Sequence, residues 1–171
     1  MNYKIIRNAL SLEECQNLIK FGEDQYVYLN PDQIYPNRYY PGFTLNNSET
    51  IQHRLAEFVT DSGLDVVYDF GLGTAVNFIN AEPGDSLGMH IDKPLYKFDE
   101  NLQVLPEYNN RMCSLSILAG LSGSNELGIE EDIITLNETD IILMRGFTVH
   151  ELKPVVDKFY MLSAFYCANI T

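Results

Sequence analysis

From residue 65 to residue 168 the chain breaks into short β-rich runs: 65–70, 74–80, 86–92, 111–118, 126–130, 132–136, 140–144, 148–153 and 158–168. Turn-forming stretches separate them, among them Glu82-Pro83-Gly84-Asp85 and Asn137-Glu138-Thr139-Asp140. Many short strands with few helices imply an antiparallel sandwich or barrel. The helical signal is confined to the N-terminal third. After a short strand at 3–6, Ser11-Leu12-Glu13-Glu14 reads as a capping box, and Leu12, Cys15, Leu18 and Ile19 give the helix behind it an apolar face. A second helix, capped by Asn47 or Ser48, is expected to run to about Asp61 and to end at Gly63. Its buried stripe is Ile51, Leu55, Phe58 and Val59, and His53 lies on its other face with no assigned role.

One β-run carries Gly88-Met89-His90-Ile91-Asp92-Lys93, and another region, beginning at Arg145, carries Gly146-Phe147-Thr148-Val149-His150-Glu151. On a strand, His90 and Asp92 share a face because side chains alternate. His150 adds a third donor from a distant strand. Two imidazoles and one carboxylate so arranged bind one face of an iron(II) ion and leave the other open. Taken alone, His-x-Asp is weak, since a buried histidine is commonly just a hydrogen-bonded core residue. Two further stretches allow two readings each. Residues 25–43 hold Tyr26, Tyr28, Tyr35, Tyr39 and Tyr40 among three prolines, and form either an ordered cover over the core or an aromatic wall of a substrate groove. The connection from Lys93 to Asn110 starts directly after Asp92. It is long for a compact domain and reads as a lid or substrate-binding loop, or else as disorder.

With 171 residues the chain is most simply one domain, 1–171, large enough to bury a core. It carries 24 acidic against 11 basic side chains, a formal charge of −13, which repels phosphate backbones and argues against a nucleic-acid partner. Cys15, Cys113 and Cys167 form no CxxC pair, so neither a zinc knuckle nor a disulfide framework is expected, and a reducing cytoplasm is the expected setting. No apolar run approaches membrane-spanning length and no signal-peptide core is visible, so no membrane partner is expected. Oligomeric state is not legible.

Taken in order, these pieces resemble the iron(II)/2-oxoglutarate dioxygenases, and most closely their prolyl-4-hydroxylase-like branch. Ile5 through Cys15 looks like that branch's opening strand and helix. Val76-Asn77-Phe78 through Asp92 looks like the strand pair leading into its His-x-Asp. Asn125-Glu126-Leu127 looks like its strand before the minor-sheet turn, and His150-Glu151-Leu152-Lys153-Pro154-Val155 like its distal-histidine segment. The resemblance covers nearly the whole chain. It implies a mostly β (α+β) double-stranded β-helix, or jelly roll, with the N-terminal helices packed on the major sheet. It also implies iron(II) held by His90, Asp92 and His150, with 2-oxoglutarate as cosubstrate and ascorbate as an accessory cofactor. The keto acid is oxidatively decarboxylated to succinate and an oxygen atom goes to a substrate carbon. Because Asp92 is present where halogenating relatives have a small residue, hydroxylation is the expected outcome.

The family anchors the far carboxylate of 2-oxoglutarate with an Arg or Lys some nine or ten residues after the distal histidine. Here those positions are Phe159 and Tyr160. The nearest cation is Lys158, which would need a bulge between Pro154 and Lys158 to face inward, since Phe159, Met161, Ser163 and Phe165 share the other face. Arg111 and Arg145 are the next candidates. The function implied is a hydroxylase of a peptidyl (prolyl) substrate, or of a small amino-acid-like one. The alternatives are a non-catalytic metal-binding jelly-roll module, a nucleic-acid demethylase-type dioxygenase, and a cupin-like hydrolase or isomerase. The charge opposes the demethylase: oligonucleotides should bind more weakly than micromolar at about 150 mM salt. Fluorescence anisotropy measures this, and a submicromolar affinity would restore nucleic acid as a substrate.

Overall fold

The computed structural model of the protein describes residues 2–26, 42–59, 75–92, 100–101, 111–145 and 148–169. The chain runs β1 (Tyr3–Ile6), α1 (Leu12–Tyr26), β2 (Gly42–Thr44), α2 (Glu49–Ala56), β3 (Ala75–Ala81), β4 (Leu87–His90) and β5 (Arg111–Ser122). It continues through β6 (Ser124–Ile129), β7 (Asp132–Asn137), β8 (Ile141–Arg145), β9 (His150–Leu152) and β10 (Phe159–Asn169). Each run expected from residue 74 onward is a strand. The run 65–70, most of the tyrosine-rich stretch 25–43 and most of the loop 93–110 lie outside the described residues.

The capping box forms as read. The Ser11 hydroxyl accepts from the Glu14 N–H at 3.1 Å, and the Glu14 carboxylate accepts from the Ser11 N–H at 2.8 Å. Two expectations are corrected. First, α2 ends at Ala56, short of Asp61. From Glu57 to Val59 each N–H bonds the carbonyl three residues back, so the last turn tightens, while Leu55 and Val59 stay buried. Second, β2 was not foreseen in a proline-rich stretch. It pairs antiparallel with β3, and its Phe43 ring meets Phe78 at 5.6 Å and Tyr26 at 5.9 Å. Aromatic packing on an edge holds three residues in a strand that composition alone would leave as loop.

Two antiparallel sheets result, with strand orders β1-β8-β5-β10-β3-β2 and β4-β9-β6-β7. This is consistent with a double-stranded β-helix core. The larger sheet is buried on both faces. Ile117, Ala119, Ile141, Leu143, Leu162 and Tyr166 pack toward α1 and α2. Leu118, Ile142, Met144, Phe159 and Met161 turn the other way and meet Leu127, Ile129, Leu136 and Leu152 of the smaller sheet. The helices therefore lie on the major sheet, as the sequence implied. Their approach is close: a Cβ on Gly22 of α1 would stand 2.4 Å from the Phe78 ring.

One polar staple ties the N-terminus to the sheet. Asp140, with a side chain 4% exposed, follows the β7–β8 turn and pairs with Arg7. It also accepts from the Asn8 N–H at 3.1 Å and from Asn137 Nδ2 at 3.0 Å. Burial alone would raise this carboxyl, but the bonds from Arg7, Asn137 and Asn8 outweigh it and hold the pKa below the ordinary value. A carboxyl held below its unfolded value stabilises the fold fully above the unfolded pKa and loses that contribution as pH falls through the folded one. Asp140→Ala should cost about 1–3 kcal/mol at pH 7, since it strips partners from the Asn8 N–H and Asn137 while the half-exposed Arg7 turns to solvent. Asp140→Asn should flatten the acid side of the stability profile. Thermal unfolding at neutral pH and at about pH 3 checks both, and parallel acid limbs for wild type and Asp140→Asn would contradict the assignment.

Candidate metal centre

β4 and β9 are neighbours in the smaller sheet, and His90 and His150 are direct Cα partners across that pair. The pairing brings their rings to 4.2 Å between centroids. Asp92 lies two residues beyond His90. Its Oδ1 stands 3.7 Å from His90 Nε2 and 3.6 Å from His150 Nε2. The donor atoms of all three residues lie within 4.8 Å of one another. The three residues singled out in the sequence are thus brought together.

The tautomers follow from the backbone. His90 Nδ1 lies 2.8 Å from the Gly88 carbonyl, and His150 Nδ1 lies 3.0 Å from the Thr148 carbonyl. A carbonyl oxygen only accepts, so each Nδ1 carries a proton, and in the neutral ring each Nε2 presents a lone pair to the centre. Burial pushes the His150 imidazole below its ordinary pKa, against the opposing pull of the Thr148 carbonyl and Asp92. A neutral imidazole is what a metal ligand must be. Asp92 Oδ2 accepts a short hydrogen bond from the Ser116 hydroxyl on β5. That bond fixes the carboxylate and leaves Oδ1 toward the histidines. Sequence reasoning missed Ser116. Its signal was a single polar residue inside the apolar run Leu115-Ser116-Ile117-Leu118.

The triad opens on a cavity of about 240 Å³ between the sheets. Asn77, Ser163 and Phe165 line it from the major sheet, and Ile79, Leu87, Leu118, Leu127, Leu152 and Met161 line the part away from Ser116. The Thr44 hydroxyl donates to Asn77 Oδ1 at 2.8 Å, which leaves the Asn77 NH₂ as a donor. Glu151 borders the cavity as the residue between His150 and Leu152. Its carboxylate lies over Gly128 on the other face and pairs with Lys153.

Of the expected anchors, Lys158 and Arg145 stand away from the cavity. Lys158 Nζ is 3.1 Å from Glu82 Oε1 and 5.2 Å from the Tyr160 ring centroid, so it shares the face of Tyr160, which points toward the helices. Tyr160 itself donates to Glu23 at 2.5 Å. β10 runs in unbroken register against β3 from Phe159↔Ala81 to Phe165↔Ala75. Phe159 is therefore the inward residue, and it is fully buried. Arg145 is exposed at the end of β8, where Ile142 and Met144 hold the inward positions. Arg111 opens β5, and its side chain lies outside the described residues. The described residues thus fit a divalent ion and the head of a 2-oxo acid. Among them no Lys or Arg lines the cavity to meet a second carboxylate.

The fold is that of the iron(II)- and 2-oxoglutarate-dependent oxygenases of prolyl-hydroxylase type, and the chain carries the His-x-Asp…His arrangement typical of that superfamily. Among solved structures, it is similar to a viral collagen prolyl hydroxylase from Paramecium Bursaria Chlorella virus-1 in its 2OG complex. The TM-score is 0.70 at 16% identity over 98% of this chain and 97% of that one. A Pseudomonas putida prolyl-4-hydroxylase matches with a TM-score of 0.63 at 12% identity, over 99% of this chain and 94% of that one. A Trichoplax adhaerens prolyl hydroxylase, in complex with a hypoxia inducible factor oxygen degradation domain peptide fragment, gives 0.63 at 13% identity over 96% and 83%. No protein-family model and no curated protein matches the sequence.

Ser116 is a positioning residue in this arrangement. Ser116→Ala should weaken Mn(II) binding by roughly tenfold, the scale of a lost partner to a metal ligand, with the circular-dichroism spectrum unchanged. Titration followed by electron paramagnetic resonance measures it, and Ser116→Thr should recover most of the loss. Unaltered Mn(II) affinity in Ser116→Ala would remove the role.

Proposed function

We propose that the chain is an iron(II)-dependent hydroxylase of the 2-oxo-acid oxygenase type, acting on a peptidyl (prolyl) substrate or a small amino-acid-like one. The observation that carries this reading is the convergence of His90 Nε2, His150 Nε2 and Asp92 Oδ1 at the mouth of a largely apolar cavity. With iron(II) and a 2-oxo acid bound, the centre would supply an oxidant able to break a substrate C–H bond. The chain's own part is geometric. The Gly88 and Thr148 carbonyls hold both imidazoles in the ligating tautomer. Ser116 holds the carboxylate. Phe165, Leu118 and Leu127 give the cavity beside the triad an apolar lining.

Three solved neighbours are prolyl hydroxylases, one of them bound to a peptide fragment, which supports a peptide as substrate. Among the described residues no helix is long and apolar enough to cross a membrane. Cys15 is free and buried on the inner face of α1, and a cytoplasmic setting is part of this proposal on the cysteine spacing alone. A second reading has an observation of its own: the described cavity wall offers no cation to a dicarboxylate, as expected of a metal-binding module without turnover.

The two readings separate in one assay. Oxygen consumption coupled to 2-oxo acid decarboxylation should require iron(II) and should fall at least a hundredfold in His90→Ala and His150→Ala, about 2.7 kcal/mol in transition-state stabilisation. Both variants should keep their fold. Iron binding without turnover of any 2-oxo acid would leave the module as the better account.

A further inference from the structure

The cavity changes character along its length, and the change bears on which 2-oxo acid it takes. Near the triad the major sheet presents Asn77 and Ser163, whose amide and hydroxyl groups suit a carboxylate and carbonyl head. Further along β10 and β3 the inward positions become Met161 and Ile79, then Phe159 and Ala81. The facing wall from the smaller sheet is Leu87, Leu127 and Leu152, which are paired across their strands. Phe159, nine residues after His150, is fully buried in the core behind Met161.

The described cations do not make up the difference. Lys158 is held by Glu82 on the opposite face of β10, and Lys153 is paired with Glu151. β5 pairs Ser116 with Phe165 and Arg111 with Asn169, so the strand carries the Arg111 backbone past Ser116, away from Leu118 and the aliphatic end. At roughly 3.3 Å per residue that displacement is about 16 Å. A carboxylate at the aliphatic end would be buried against methyl groups without a partner, which is strongly unfavourable. A hydrocarbon tail there gains from the same burial.

Resting on the hydroxylase reading, we propose that the cosubstrate is a monocarboxylate 2-oxo acid with a short uncharged aliphatic tail, not a dicarboxylate. The balance is that of the parent reaction: 2-oxo acid, O₂ and substrate C–H give the carboxylic acid shorter by one carbon, CO₂ and substrate C–OH. The C1–C2 bond of the oxo acid breaks, one oxygen atom enters the new carboxylate and the other enters the alcohol. Met161 and Ile79 are then the residues that set tail specificity.

Equilibrium binding tests this without turnover. Full-length protein is first titrated with Mn(II), then under nitrogen with 4-methyl-2-oxopentanoate and with 2-oxoglutarate, by calorimetry. The branched oxo acid should bind at least tenfold tighter than 2-oxoglutarate. Met161→Lys should reverse that order, and Ile79→Lys is the second variant should Met161→Lys fail to fold. Lys158→Ala should leave both affinities unchanged. Wild-type protein that prefers 2-oxoglutarate, or Lys158→Ala that selectively loses it, would overturn the proposal while leaving the metal centre standing. Absence of Mn(II) binding in the first titration would overturn the metal reading itself, and this inference with it.

Discussion

The structure depends on one sheet that carries a packed core on each face. β8, β5 and β10 lie within the larger sheet, with helices on one side and the smaller sheet on the other. Such strands read as continuous apolar runs rather than alternating ones, and Ile141-Ile142-Leu143-Met144 is the plainest example. Alternation then decides only which core each side chain enters. Under that constraint a polar residue on an inward position is costly unless it has a partner. Ser116, Asn77 and Ser163 are such inward polar residues, and all three gather at or beside the triad. The site is where the sheet departs from its own rule.

The opposing sheet supplies the ligands by a different device. His90 and His150 are paired across β4 and β9, and each is braced by the carbonyl two residues before it. The two imidazoles are therefore oriented by backbone rather than by mobile side chains. The carboxylate is oriented from the other sheet through Ser116. A relative shift of the sheets would separate Asp92 from its hydroxyl while leaving the two histidines in register. The metal centre thus reports on the packing between the layers, through Leu118, Leu127, Met144 and their neighbours.

What was legible in the sequence was what depends on local pattern. The capping box, the turns at Glu82–Asp85 and Asn137–Asp140, and the strand runs from residue 74 onward are local, and they form. The meeting of His90 with His150 is not local. Strand period alone put His90 and Asp92 on one face, and the resemblance of the whole ordered set to a known family brought in His150. β2 was not legible, because its reason is the contact of Phe43 with Phe78 and Tyr26, which no window of sequence displays. The early end of α2 was hidden likewise, since its apolar stripe continues to Val59 after the helical bonding has changed. Lys158 illustrates the limit of counting positions. Its spacing from His150 suggested the cavity, whereas its partner Glu82 lies across the sheet on the other face.

The electrostatics of the triad carry the last step. With both Nδ1 protons committed to carbonyls, two nitrogen lone pairs and a carboxylate oxygen face one another at 3.6 and 3.7 Å. Three electron-rich atoms at that separation repel, so a purely structural cluster of this kind works against its own fold. A proton on one imidazole would relieve only part of the repulsion, and burial of His150 lowers its pKa and so opposes that proton. A divalent cation relieves all three contacts at once and leaves each Nδ1 bond intact. Apolar side chains of similar volume would pack this position without the penalty. Ionic and polar groups aimed at a common point, with their outer atoms already satisfied, make sense as a site prepared for a metal ion.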